Sequence, residues 1–251
     1  EAISVAQRRV NYSSEKFLAI NDNFKNIRSI AMKYNFLPVH GILFDLGVSS
    51  LQLDAESRGF SFRRADPLDM RFSYNQNLSA SQIINNYDEN ELANLIFYFG
   101  EEKNSRKIAK TIVRNRPIKS SLELADLICE IIPKRKNQKI NPATKTFQAI
   151  RIAVNDELTA LETALNESLT VIGQGGRIAV ISYHSLEDRI VKNFFKKQSS
   201  ECICPPRSPL CTCKHEKTIK IITKKPIVPS KNEINNNSRS RSAKLRIAER
   251  I

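Results

Sequence analysis

The stretch Gly41–Phe72, GILFDLGVSSLQLDAESRGFSFRRADPLDMRF, constrains this chain more than any other. Ile42, Leu43 and Phe44 form a short continuous apolar run, which predicts a strand of a parallel sheet covered on both faces. Asp45 stands where that strand should end. Gly47 lets the chain turn, and Val48-Ser49-Ser50 carries it over the sheet edge. The carboxyl ends of strands are where open α/β sheets bind ligands. Arg58, Arg63, Arg64 and Arg71 follow, interleaved with Phe60, Phe62 and Phe72. Arginine pairs with phosphate, and aromatic rings stack on unpaired bases. One stretch therefore offers an acidic reaction point and a nucleic-acid contact.

The elements before it alternate. Glu1 to Val10, EAISVAQRRV, reads as a helix with Ile3, Ala6 and Val10 on one side. Phe17 to Asn21, FLAIN, is a strand candidate, and Asp22-Asn23-Phe24 a loop. Ile27 to Tyr34 reads as a helix with Ile27, Ile30 and Ala31 inward. Helix, strand, helix, strand is the pattern of a parallel sheet built from βαβ units. The chain opens on Glu1, inside a helical pattern, and so reads as a fragment.

Strand signals stop between Leu78 and Asn141. Ser79 and Asp88 cap two helices, the second with Leu92, Leu95, Ile96 and Phe99 as its stripe and Gly100 as its stop. Glu101 to Asn115 follows with Lys103, Arg106, Lys107, Lys110 and Arg114 on its polar side. Ser121 caps a last helix ending near Pro133, and KRKNQKINP is a basic loop. Residues 78–141 thus read as a helical domain inserted into an α/β domain made of 1–77 and 142–251. Its basic charge, directly after the arginine loop, favours substrate recognition over embellishment.

The α/β pattern resumes near Ala143. Phe147, Ile150, Val154, Leu158, Leu161, Leu165, Leu169 and Ile172 step by three and four, which predicts one long helix. Gly173-Gln174-Gly175-Gly176 ends it, and Arg177 to Tyr183 is a strand. Ser185 to Asp188, SLED, is a capping-box pattern for the next helix. His184 lies between that strand and helix, on Asp45's edge if the sheet is parallel. Thr218 to Thr223 alternates like an edge strand. Pro226 to Ser240 is poor in apolar residues and reads as mobile, and the closing SRSRSAKLRIAERI is strongly basic.

With 251 residues and 41% apolar content, the chain can bury the core of one large domain or of one domain with an insertion. The net charge of +14 clusters in loops and tail, which points to a polyanionic partner. No apolar run approaches the ~20 residues of a membrane span. No signal peptide opens the chain. Five cysteines, one isolated and four crowded, do not make a secreted disulfide framework. The chain reads as cytoplasmic, with no membrane partner.

DLGVSSLQLD, RGFSF, PLDMR, YFGEEKNSRKIAKTIV, NPATKTFQAIRIAVNDEL, GGRIAVISYHSLEDRIVK and RSRSAKLRIAERI, in this order, resemble the RsmH (MraW) family over nearly the whole chain. The resemblance implies a Rossmann-like methyltransferase sheet with an inserted all-helical domain. It implies S-adenosyl-L-methionine as methyl donor. The implied target is the exocyclic N4 of a cytosine in the decoding centre of bacterial 16S ribosomal RNA, in the small ribosomal subunit. It also implies Phe24, Asp45 and Gln52 as cofactor contacts, with Phe24 packing on adenine. Such a donor site further needs a glycine-rich loop after the first strand and a ribose-binding acid after the second. The seven glycines of the chain form no such loop near its start. The N-terminal strands and glycine loop are therefore expected upstream of Glu1, and residues 1–251 alone are expected to bind the donor poorly.

The chemistry fits these residues. The N4 amine is a poor nucleophile and the sulfonium a good leaving group. The enzyme must mainly align nitrogen, carbon and sulfur and accept a hydrogen bond from the amine. Asp45 is the candidate acceptor, with His184 and Ser185 lining the base pocket. The candidate RNA contacts are Arg58, Arg63, Arg64 and Arg71 in the loop and Lys103, Arg106 and Lys107 in the insertion. No metal is assigned to the reaction. Cys202, Cys204, Cys211 and Cys213 form two Cys-x-Cys pairs, a donor set for tetrahedral zinc whose spacing differs from the usual Cys-x2-Cys, and the sequence leaves zinc there open. It also leaves open monomer or dimer. The rival readings are an amino-methyltransferase acting on another RNA or DNA, and a non-catalytic RNA-binding ribosome-assembly factor.

Overall fold

A computed structural model describes residues 2–10, 17–49, 52–53, 55–132, 141–205 and 210–251. In chain order it holds α1 (Ala2–Val10), a 3-10 turn (Phe24–Asn26), α2 (Ile27–Lys33) and β1 (Val39–Asp45). Five helices follow: α3 (Ala80–Asn86), α4 (Glu89–Gly100), α5 (Ser105–Arg114), α6 (Ser121–Ile131) and α7 (Thr144–Asn155). Then come α8 (Glu157–Val171), β2 (Ile172–Ser182), α9 (Ser185–Gln198) and β3 (Ile219–Ile221). The chain closes with α10 (Lys231–Asn236), a second 3-10 turn (Ser238–Ser242) and β4 (Lys244–Arg250). Among the described residues, no helix is long and apolar enough to cross a membrane.

The chain divides into two compact units, each with its own core. The first is Glu1–Gly47 with Leu158–Ile251. Its four-stranded sheet has the order β1-β2-β4-β3. β1 and β2 are parallel, as the sequence pattern predicts, but β4 is antiparallel to both of its neighbours. Ile42, Phe44, Leu46, Ile178, Val180 and Ala248 pack with Leu161 and Leu165 of α8 and Val191 and Phe195 of α9.

Phe17 to Asn21 is not a strand: among the described residues nothing pairs with it, and a strand without a ladder partner does not form. β1 is covered on one face only, for Leu43 is 65% exposed while Ile42 and Phe44 are buried. The long helix is two, because Asp156 takes a left-handed conformation (φ 48°) that ends α7 before α8 begins. The glycines after α8 lie inside β2 as an irregularity, since Val39 and Gly41 pair with Ile172 and Arg177. The 226–240 segment carries α10 rather than unstructured chain. The basic C-terminus is a sheet strand, β4, with β3 outside it as the expected edge.

The second unit is Val48–Glu157, wider than the 78–141 block read from sequence. The arginine loop and α7 share one core with α3–α6, through Phe60, Leu68, Met70, Phe147 and Ile150. Ser79 and Asp88 cap α3 and α4, each with a full capping box. Gly100 is the last residue of α4 and the left-handed cap is Glu101 (φ 48°). Glycine serves at 100 for room: a Cβ there would lie 2.7 Å from the Lys145 carbonyl oxygen of α7. α6 is capped by Ser120 rather than Ser121. Most of the basic loop KRKNQKINP, residues 134–140, lies outside the described residues.

Candidate active site

In the first unit, β1 and β2 end side by side. Asp45 pairs with Ile181, and the Leu46 amide donates to the Ile181 carbonyl at 3.0 Å. Just beyond, the Tyr183 ring lies over Gly47, whose φ of +89° makes the turn, with 3.7 Å between Tyr183 Cδ2 and the place of a Gly47 Cβ. The Tyr183 hydroxyl donates to Asp45 Oδ1 at 2.9 Å. Among the described residues nothing donates to Oδ2, and Asp45 is exposed. Burial, then the bond to Asp45 and its charge, push the Tyr183 phenol up to about 12, so it stays a donor at any working pH.

Glu187 fixes the backbone behind that tyrosine. Its Oε2 accepts from the amides of Tyr183 (2.8 Å) and His184 (3.3 Å). The structure places His184 on the edge expected for it, but as the N-cap of α9, a position the sequence pattern assigned to Ser185. Its Nδ1 accepts from the Glu187 amide at 3.4 Å, and Nε2 lies 3.2 Å from Glu187 Oε1. The bond engages Nδ1 in the cap, while the buried Nε2 has no hydrogen-bond partner among the described residues. Ser185 is the first residue of α9.

Phe24 opens the 3-10 turn, and polar residues around it hold the turn in shape. Asp22 Oδ1 accepts from the Asn23 amide and from Asn26 Nδ2, both at 2.7 Å, and Asn23 Oδ1 accepts from the Lys25 amide at 3.0 Å. The bond from Asn26, then that from Asn23, holds the Asp22 carboxyl below its usual range. The Phe24 ring packs on Phe44 at 5.9 Å and stays 39% exposed, leaving apolar surface for a planar ligand.

In the second unit, Gln52 closes a small capping box. Its Oε1 accepts from the Ser49 amide at 3.0 Å, and its own amide donates to Ser49 Oγ at 3.2 Å. Nε2 takes no part in that pairing.

The arginine loop is more structural than its composition suggests. Arg58 donates to the carbonyls of Arg71 (2.5 Å) and Phe72 (3.4 Å) and stacks 4.5 Å over Tyr74. Arg71 pairs with Asp69 at 2.6 Å, which raises its pKa, and donates to the Tyr74 and Gln76 carbonyls. Arg64 donates to the Ala55 carbonyl at 3.2 Å and lies 3.5 Å from Asp66. Arg63 is exposed, and among the described residues only its backbone amide is bonded, to Ser61 Oγ. The aromatic rings pack against the core, Phe62 and Phe72 only partly buried. Phe60 is buried and stacks on Phe72, and Phe62 meets Phe147 edge-on at 5.2 Å. The loop folds onto α7 and spends its rings on the core, as buried apolar area dictates. In α5 and its approach, Lys103 and Arg106 are exposed, whereas Lys107 Nζ donates to the Ile131 carbonyl at the end of α6.

Sequence reasoning missed Tyr183, Glu187 and the Asp22-Asn23-Asn26 network. Only the parallel register of β1 and β2 brings Tyr183 to Asp45. The spacing of Glu187, three residues after His184, could have marked the cap.

Residues 1–251 match the model of the MraW methylase family. The chain belongs to that family. Curated relatives share the name ribosomal RNA small subunit methyltransferase H. The protein of Dehalococcoides mccartyi is 52% identical over 250 residues, covering 100% of this chain and 71% of that protein. Those of Halothermothrix orenii (48%) and Clostridium botulinum (49%) also cover 100% of this chain and 82% of their own lengths. The family uses S-adenosyl-L-methionine as methyl donor. The exposed Phe24 ring and the open Oδ2 of Asp45 fit side contacts to such a donor.

Proposed function

We propose that this chain is an S-adenosyl-L-methionine-dependent methyltransferase that methylates the exocyclic N4 of a cytosine in the decoding centre of 16S ribosomal RNA. The observation that carries the reading is Asp45. In a chain that matches the MraW methylase family from end to end, it stands exposed at the end of a parallel strand, one oxygen held and the other open. Phe24 and Asp45 of the first unit would hold the donor, which supplies a methyl carbon already activated on a sulfonium, and Gln52 is a further contact that the family resemblance implies. Asp45 Oδ2 accepts a hydrogen bond from the N4 amine, which directs the nitrogen lone pair outward for attack and receives the proton released. Tyr183 keeps the carboxylate from rotating away. His184 stiffens the turn that carries Tyr183, and Ser185 borders the same edge.

The helical block 78–141, set in a Rossmann-like domain, serves on this reading to grip RNA. Arg63, Lys103 and Arg106 supply exposed cations. Arg58, Arg64, Arg71 and Lys107 shape the surfaces that present them. Small-subunit RNA as substrate implies a cytoplasmic site of action.

The test is transfer of labelled methyl from S-adenosyl-L-methionine to small subunits taken from cells lacking the gene. Label recovered as N4-methylcytidine supports the reading. RNA binding without label would favour a non-catalytic assembly factor, and label on another nucleoside a different target.

A further inference from the structure

The segment between α9 and β3 does something the methyl-transfer reading does not use. Its described residues are mostly polar and exposed, with Ile203 and Leu210 43% and 78% accessible, so buried apolar area gives them little reason to hold a shape. Yet its four thiols converge. Cys202 Sγ lies 3.5 Å from Cys211 Sγ and 3.8 Å from Cys213 Sγ. Cys211 Sγ lies 3.6 Å from Cys213 Sγ and 4.0 Å from Cys204 Sγ. All four sulfurs fall within 4.8 Å of one another.

We propose that Cys202, Cys204, Cys211 and Cys213 bind a single structural zinc ion. A zinc ion ~2.3 Å from each of four thiolates at tetrahedral angles sets the sulfurs about 3.8 Å apart. The observed separations centre on that value. Residues two apart in extended chain point to the same side, so each Cys-x-Cys pair offers two sulfurs to one ion. The backbone is arranged for charged sulfur. The amides of Ile203, Cys204 and Thr212 donate to the Sγ atoms of Cys213, Cys202 and Cys204 at 3.5, 3.4 and 3.4 Å. Amides aimed at the ligand atoms orient them and stabilise thiolate, as partners around a metal centre do. Four protein sulfurs complete the coordination and leave no open position, so the ion is structural rather than catalytic. A two-iron or four-iron cluster divides its ligands among several metals and needs them more widely spread, and the tightness of this group selects one ion.

The segment is also tied to its neighbours. His215 Nε2 bonds the Lys197 carbonyl at 2.9 Å, and Thr218 Oγ1 bonds Gln198 Oε1 at 3.0 Å, both near the end of α9. The ion would thus clamp a loop fixed at its far side and hold it against α9 and β3.

The experiment is metal analysis of the protein purified without chelator, with cobalt substitution. The expected result is one zinc per chain, released when a thiol-modifying reagent titrates the four cysteines of the folded wild-type protein. Cobalt should give the intense thiolate-to-metal bands of a tetrahedral four-sulfur site. The paired variant Cys211→Ser with Cys213→Ser should lose zinc while its circular dichroism keeps the helical signal. Zinc well below one per chain together with no tetrahedral cobalt spectrum would overturn the proposal, and so would iron in zinc's place. Thiol counting that finds these cysteines paired as disulfides in the freshly purified protein would overturn it too. None of these readouts depends on methyl transfer.

Discussion

Tyr183 donates its phenolic hydrogen to Asp45 Oδ1 across two parallel strands, at 2.9 Å. The two residues are 138 apart in sequence, and only the register that sets Asp45 against Ile181 makes them neighbours. The bond occupies Oδ1, and among the described residues nothing donates to Oδ2, so it decides which lone pairs of Asp45 are in use.

Substitutions at that pair should separate acceptor from support. Asp45→Ala should slow transfer about a hundredfold or more, and Tyr183→Phe about tenfold, the size of one charge-assisted hydrogen bond. Single-turnover rates check both. With the phenol pushed up to about 12, Tyr183 contributes no titration to the pH–rate profile below about pH 10. A Tyr183→Phe enzyme with the wild-type rate would show that the bond serves the fold alone.

The basic residues should sort by what they touch. Arg58→Ala removes two carbonyl contacts and a stacked ring and should lower stability by about 1–3 kcal/mol. Arg63→Ala should leave the melting temperature unchanged and weaken RNA binding. Reversing Lys103 and Arg106 together should weaken RNA binding further and flatten its salt dependence. Thermal melts and salt-titrated binding distinguish these outcomes. Constant RNA affinity in the charge-reversed protein would make the helical block a structural element only.

Asp188 should govern acid stability. Burial pushes its carboxyl up, but hydrogen bonds from Arg246 (2.7 Å) and Lys244 (3.2 Å) outweigh that and hold it below its usual value. A group with a depressed folded pKa stabilises the fold above its unfolded value, near 3.9, and loses that contribution as pH falls through the folded value. Asp188→Asn should therefore cost about 3–5 kcal/mol at neutral pH, because it leaves the buried Arg246 charge unpaired. The loss should shrink as the pH falls below about 3.9 toward the depressed folded value. Denaturant melts from pH 7 to pH 2 measure it, and no gap at neutral pH, or a gap that widens toward acid, would contradict the pairing.

The sequence made the local features legible and the pairings less so. Asp88 and Ser79 announce their helices by short-range chemistry, and both cap where expected. The place of Asp45 at the end of β1 was legible because an acid closing a short apolar run is itself a local signal. Phe17–Asn21 has strand composition, but pairing is a tertiary property and composition does not supply a partner. Arg58 and Arg71 look like RNA contacts in one dimension, and only the fold shows their guanidiniums turned onto carbonyls of their own loop. Tyr183 carried no mark because its role depends on the distant Asp45. The Cys-x-Cys pairs were visible, whereas their convergence was not.

The most direct measurement is mass spectrometry of small-subunit ribosomal RNA from cells lacking the gene, complemented either with the wild-type gene or with Asp45→Ala. The expected result is that N4-methylated cytidine at the decoding centre disappears on deletion, returns with the wild-type gene and does not return with the Asp45 variant. Methylation that persists in the deleted strain, or that the Asp45→Ala protein restores in full, would contradict the assignment of this activity to this chain and of its proton acceptor to Asp45.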